Sequence, residues 1–494
     1  MTPLAQSLTD PRAPAAAALP SPLADLLTDL SPADANTLRR GLLAVLQARP
    51  LNAPLDELTL DLMLTDCDRR LAAQLDTILH HPAVQALEAT WRSLWTLTER
   101  VSFADGITLE LLQYTRDDMR DDFAEAPELT ASGLYFHVYR HGIGLFGAAP
   151  YGFICADLEF GPGAEDISLL RQCTAVAAMA HAPFIANASP DFFGCPDFTG
   201  LPRLRDIAGA LANPRFRAWQ AFRATEDARY LGLCLPRTIL RAAYDPATDP
   251  SCRLPYRESI TSTKDLLWGR ASFAFALLAA DSFANYRWCV HILGSRAAAG
   301  NHQLRWDYPT LSGLWHRNPL ECTLSARLEQ SLADEGFIAL VHERTTGCTR
   351  LISAPSVQRA RMVAQTTEAD RAAAAGERLG AQLPYIFLIS RLAHYLKCVQ
   401  RERIGSWLDR SELERELGLW LRQYVSAMED VQLEVRARRP LRSASVTVEA
   451  IDGQTGWYRC RLQIQPHISH NSAAFTLSML GKLDRPGSPE SSQA

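Results

Sequence analysis

The amino-acid sequence predicts a mixed α/β (α+β) protein of several domains, helical near its N-terminal end, mixed in the middle, and built of antiparallel strands near its C-terminal end. Three observations predict it. The chain has 494 residues, 47% of them hydrophobic, which allows a substantial core and, at roughly 150 residues per domain, about three domains. Apolar residues recur with a helical period in the first hundred residues and again from Leu383 to Met428. Beyond residue 443 the period becomes two, the signature of half-buried strands.

Residues 1–20, with Pro3, Pro11, Pro14 and Pro20, read as a flexible arm. A short helix follows over 21–32. Ser21 caps it, Pro22 suits its first turn, and Leu23, Leu26, Leu27 and Leu30 fall at i, i+3, i+4 and i+7 before Ser31-Pro32 ends it. Residues 33–100 are helical, clearest where Val84, Leu87, Trp91 and Leu94 predict one buried stripe after Pro82. The central region, 101–382, mixes strands expected at Ile107–Tyr114, Leu134–Tyr139 and Phe153–Phe160 with helices at Ile167–Ala180 and Leu266–Phe283 and a loop-rich stretch to Asn318. A helical segment spans 383–442, punctuated by Pro384 and Gly405.

The C-terminal segment, 443–484, carries three alternating runs: Val446, Val448 and Ala450; then Tyr458, Cys460, Leu462 and Ile464; then Phe475, Leu477 and Met479. Asp452-Gly453 and Gly456 supply a turn, so the first two runs form a hairpin. Residues 485–494 read as a loose polar tail.

Composition narrows function. A formal charge of −5 and a pI near 6.2 lack the concentrated basic surface that nucleic acid requires. The 11 cysteines contain no C-x-x-C pair and are odd in number, so neither a zinc ribbon nor a disulfide framework is expected, and reduced thiols in a cytoplasm fit best. The first twenty residues lack a basic region followed by an apolar run, so no signal peptide is expected. The longest apolar run, Ala271–Ala280, falls short of the ~20 residues that cross a bilayer, so no direct membrane insertion is expected.

The candidate chemistry is thin. Gly142-Ile143-Gly144-Leu145-Phe146-Gly147 spells G-x-G-x-x-G, but Pro150, Tyr151 and Gly152 lead into another strand where a dinucleotide turn needs a helix. His137 and His141 have a helical metal spacing inside an apparent strand, and His467 and His470 lack a nearby Cys or carboxylate. Asp117, Asp118, Asp121 and Asp122 lack the glycine and glutamate of a calcium loop. No nucleophile elbow, H-E-x-x-H helix or Walker loop occurs. No catalytic residue, cofactor or metal is therefore expected, although an enzyme whose site is assembled from distant residues would show the same blank.

Several segments, in collinear order from about residue 75 to 470, resemble the TssC/VipB family of type VI secretion sheath large subunits. They include Ile78-Leu79-His80-His81-Pro82, Trp91-Arg92-Ser93-Leu94, Asp157-Leu158-Glu159-Phe160, Ala188-Ser189-Pro190 to Phe193-Gly194, and Glu226-Asp227-Ala228-Arg229-Tyr230-Leu231-Gly232 to Leu235-Pro236-Arg237. Leu267-Trp268-Gly269, Gly336-Phe337-Ile338, Leu383-Pro384-Tyr385, His394-Tyr395-Leu396-Lys397 and Ile404-Gly405-Ser406 continue the series. Ser295–Asn318 lacks the Gly-Leu-Pro-rich segment usual there, and Leu351-Ile352 stand where aromatics are usual, which leaves open a specialised or divergent paralogue; a sheath of a related phage tail-like particle, polymerising without a small partner, is a separate alternative.

The resemblance implies a structural subunit that pairs with a small sheath subunit of the TssB/VipA type and self-associates as six-membered rings into a helical tube. That tube would surround an inner tube protein of the Hcp type, sit on a baseplate and drive effector injection by contracting. It implies that strands pair between subunits, with Ser445–Ile451 and Tyr458–Gln465 as the matching segments and Val446, Val448, Ala450, Tyr458, Cys460, Leu462 and Ile464 as their contact residues. It also implies that an AAA+ disaggregase of the ClpV type seizes an N-terminal docking helix, here Leu23, Leu26, Leu27 and Leu30.

Overall fold

The computed structural model describes residues 57–246, 255–294, 304–305, 318–343, 347–360, 376–402, 410–426, 433–450, 457–467 and 475–482. The chain divides into two compact units, Met1–Ala73 and Gln74–Ala494. In the first unit the described residues belong to helix α1 (Glu57–Leu79), whose last turns lie in the second. The leucines at 23, 26, 27 and 30 lie outside the described residues.

A six-stranded sheet organises the second unit. β1 (Ile154–Phe160), β2 (Phe184–Ala188), β3 (Leu231–Leu235) and β7 (Phe337–Glu343) run parallel in that order. β8 (Cys348–Leu351) and then β6 (Leu304–Arg305) add antiparallel at one edge. Parallel strands need both faces covered, and the residues comply. Phe184 and Ala186, Leu231 and Leu233, and Phe337 and Ala339 face one core with α4 (Ala164–Ala180) and α7 (Ala326–Asp334), while Ile185, Cys234, Ile338 and Leu340 face another with α6 (Ala271–Tyr286). On the first side Trp219, fully buried in α5 (Arg217–Arg223), stacks on Phe337 and contacts Phe192. A short antiparallel pair, β4 (Thr238–Ile239) with β5 (Trp268–Gly269), lies outside this sheet.

Where β1 and β2 slip register between Cys155 and Glu159, Asn187 closes the gap. Its side-chain amide donates to the Leu158 carbonyl at 3.1 Å and to Ser272 Oγ at 2.9 Å, and its oxygen accepts from Ser272 N at 2.8 Å. A buried polar side chain is tolerable when its hydrogen bonds are made inside.

Three sequence expectations fail here. Ile107–Tyr114 carries no secondary structure. Leu134–Tyr139 is no strand: Gly133–Tyr135 starts a helix that continues as a π-helix over Phe136–Gly144, and Leu134 and Val138, four apart, share its buried face. The packing of that face overrides the β-propensity of the intervening tyrosines. Helix α2 (Pro82–Arg100) does form, but it buries Ser93 and Leu97 and leaves Leu87 62% and Trp91 61% exposed, so the expected stripe is split.

Candidate functional site

Helix α8 (Leu383–Glu402) is the member that joins the parts. Its Leu383 and Phe387 pack into the core on the α6 side of the large sheet, and Phe387 meets Phe275 and Phe153. Its Leu388, Leu392 and Leu396 belong instead to a third core, shared with Leu417 and Leu421 of α9 (Arg410–Arg422) and with Trp288. One apolar helix thus serves two cores.

The third core supports a second sheet, in which β10 (Trp457–Pro466) lies between β9 (Leu441–Ala450) and β11 (Phe475–Lys482), antiparallel to both. Tyr458 pairs with Ala450, Cys460 with Val448, and Leu462 with Val446, so these residues and Ile464 occupy one face of the hairpin. Val448, Leu462 and Ile464 are fully buried on the third core, Val446 is nearly so, and Cys460 packs against it. These side chains are held by their own chain. The opposite face is polar, with Arg461 and Glu449 3.6 Å apart and Ser443 donating to Gln465 at 3.1 Å. Among the described residues the outer edge of β9 is bridged at Leu441 alone, by Val425. β11 has β10 on one side and no described strand on the other.

The polar stripe of α8 clasps the large-sheet domain. His394, Lys397 and Arg401 fall at i, i+3 and i+7. His394 Nε2 donates to the carbonyl of Ala180 at 2.8 Å and Lys397 Nζ to that of Met179 at 3.0 Å, so two of the last carbonyls of α4 gain partners. Lys397 also sits 4.9 Å over the ring of Tyr139. Burial pushes its ammonium down to about 8 and the His394 imidazole down to about 4. Beside them His181, in a left-handed C-cap conformation, pairs with Tyr230 OH at 3.0 Å and is lowered to about 3 by burial first and then by Lys397.

Arg401 explains the glycine-rich motif. Its guanidinium donates to the carbonyls of Ile143 at 2.9 Å, Leu145 at 2.7 Å and Ala148 at 3.2 Å. The loop offers carbonyls to a cation, the reverse of the amides that a pyrophosphate requires. A Cβ at Gly142 would stand 3.1 Å from the ring of Tyr151, a tight contact that the ring would have to relieve, and Gly147 has φ +81°.

The other candidates sort quickly. His137 and His141 lie on the π-helix with ring centroids 5.9 Å apart, and among the described residues no group of three potential ligands gathers anywhere. Asp118 caps the helix α3 (Arg116–Glu125) through Thr115, and Asp122 accepts from Gly133 N at 2.7 Å, so the acidic cluster serves local structure. At the carboxyl ends of β1 to β3, where parallel sheets commonly bind ligands, the space is filled. Arg237 forks onto Glu159 at 2.8 and 3.0 Å, Arg270 holds Asp157 at 2.6 Å, and the crevice left has room for about one water. Glu321, raised to about 7 by burial, accepts from Phe198 N there. Among the described residues no helix is long and apolar enough to cross a membrane.

Among the described residues a large doubly covered sheet is joined through one helix to a small three-stranded sheet, and the relatives of the chain are tail sheath proteins. Residues 61–358 match the EvpB/VC_A0108 tail sheath N-terminal domain and residues 372–483 the EvpB/VC_A0108 tail sheath gpW/gp25-like domain, both of the VipB family. The chain is 31% identical over 432 residues to the type VI secretion system sheath protein TssC1 of Pseudomonas aeruginosa, covering 86% of each. It belongs to the VipB family and is a structural subunit of the type VI secretion contractile sheath. The sheath tail protein of Desulfitobacterium hafniense shares 10% identity, 64% of this chain and 60% of its own, with a TM-score of 0.29, a likeness too loose to add to the fold. The clasp therefore runs between the two matched domains: α8 falls in the second, and α4 and the glycine loop in the first.

The histidine, lysine and arginine of the clasp escape a reading of spacing because their partners stand more than two hundred residues away. A signal did exist, in that Lys397 is one of three lysines in the chain.

Proposed function

We propose that this subunit works by strand exchange. The C-terminal sheet accepts a strand from a neighbouring subunit at an outer edge, and the clasp passes the load to the rigid large-sheet domain. The observation that carries this reading is the outer edge of β9, which no other described residue bridges beyond Leu441, while the inner face of the same strand is locked into the third core. A sheet with one locked face and open edges can change its neighbour's angle without losing its own packing. In this reading the partners are a small sheath subunit of the TssB/VipA type, further copies in six-membered rings, an inner tube of the Hcp type and a baseplate, in the cytoplasm, and the subunit's work is mechanical.

The experiment places a photo-cross-linking residue at Ser445 or Thr447, on the exposed face of β9. In tubes formed by co-expression with the small sheath subunit, cross-links between chains are expected. Cross-links confined to single chains, in tubes that form normally, would refute exchange at this edge. Recycling is read from the sequence of Leu23, Leu26, Leu27 and Leu30. Leu26→Asp with Leu27→Asp is expected to leave tubes intact and abolish pull-down of a ClpV-type disaggregase, and unchanged pull-down refutes that role.

A further inference from the structure

The segment Ile107–Tyr114 reads as a strand yet has no described strand beside it. Ile107 packs against the core on the α6 side and Tyr114 against the core on the α4 side, where its hydroxyl bonds Asp122. Between these anchors Thr108 to Gln113 are all exposed, and among the described residues their backbone makes no hydrogen bond to other backbone. Leu109, Leu111 and Leu112 are 48%, 71% and 44% exposed. The stretch just before it, α2, turns Leu87, Trp91 and Trp95 outward as well, at i, i+4 and i+8. Soluble chains seldom leave so much apolar surface open together with unpaired, β-prone backbone.

We infer that Thr108–Gln113 is an unfinished strand, completed in the assembly by a β-strand from a separate, permanently bound polypeptide. Three observations select that occupant. The described strands of this chain are already placed in sheets of six, three and two, none of which includes this segment. Of the edges a second copy leaves open, that of β9 carries the exposed residues Arg442, Ser443, Ser445 and Thr447, which would set polar groups beside the leucines. The segment carries three exposed leucines against a single charge, Glu110, which Tyr151 already bonds, so the complement is largely apolar, as in obligate interfaces. The inference uses the sheath reading only to choose the probe.

The test is hydrogen–deuterium exchange of the peptide containing residues 107–114, in the full chain alone and in its complex with the co-expressed small sheath subunit. Exchange is expected to slow at least tenfold in the complex and to be fast in the chain alone. Successive amides of a strand point to opposite sides, so Leu111→Pro and Leu112→Pro should differ. One should cost the complex at least tenfold in affinity, the other much less, with both chains melting near the parent temperature. Tubes that form with this peptide still exchanging freely overturn the inference and leave the sheath reading standing. Protection already present in the lone monomer, or gained by self-association, overturns it in favour of a segment or copy of this chain. Failure to form any complex overturns both.

Discussion

The two sheets of this protein differ in how many faces they bury. In the six-stranded sheet both faces are closed, so that Ile185 and Phe184, neighbours in one strand, are both buried in different cores. In the C-terminal sheet Val448 is buried and Thr447 beside it is exposed. The first arrangement makes a body that moves as a unit, and the second leaves polar surface and strand edges free while remaining anchored. A contractile sheath subunit needs both properties, and α8 couples them by sharing Leu388, Leu392 and Leu396 with one core and Leu383 and Phe387 with the other.

Substitutions can break or sharpen this contrast. The largest effect is expected at Trp219→Ala, in the doubly covered half, with a loss of about 3–5 kcal/mol and of the main urea transition. Leu462→Ala should cost about 2–4 kcal/mol and act locally, shedding the C-terminal sheet to protease while the large-sheet domain keeps its transition. Equal loss of both transitions would show that the two sheets are one cooperative body.

Acid should attack the coupling first. His394 is held below its unfolded value by burial, so the unfolded chain takes up the proton earlier, and stability falls as pH drops from 6.5 towards about 4. The loss is on the order of 3 kcal/mol, and His181 adds in the same direction. His394→Gln should flatten that part of a pH–stability profile, and an unchanged profile would remove His394 from the account. Arg401→Ala should loosen the clasp by about 2 kcal/mol, seen as faster cleavage between the matched domains. Arg401→Lys should restore little, because a point charge cannot fork across three carbonyls. The smallest effect is expected at Glu449→Ala, whose exposed pairing with Arg461 should be worth less than about 0.5 kcal/mol in a melting curve.

The C-terminal hairpin was legible because its runs alternate with period two, and the register that sets Cys460 against Val448 and Leu462 against Val446 keeps the alternating apolar residues on one face. Helix α4 was legible for the same reason, with one period over its whole length. Phe136–Gly144 was not, since aromatic and β-branched residues there favour a strand and only burial of Leu134 and Val138 makes them helical. The outward turn of Trp91 was hidden because periodicity shows that a helix has an apolar face, not whether that face meets its own chain. The clasp could not be read at all from spacing, since the carbonyls it binds belong to every sequence alike.

Cryo-electron microscopy of tubes assembled from this chain and the small sheath subunit proposed as its partner tests the central claim most directly. The account predicts that the sheet of β9, β10 and β11 gains at least one strand from a neighbouring subunit, with the bonds of His394, Lys397 and Arg401 unchanged. A sheet that stays three-stranded within the tube, its edges facing solvent, would contradict it.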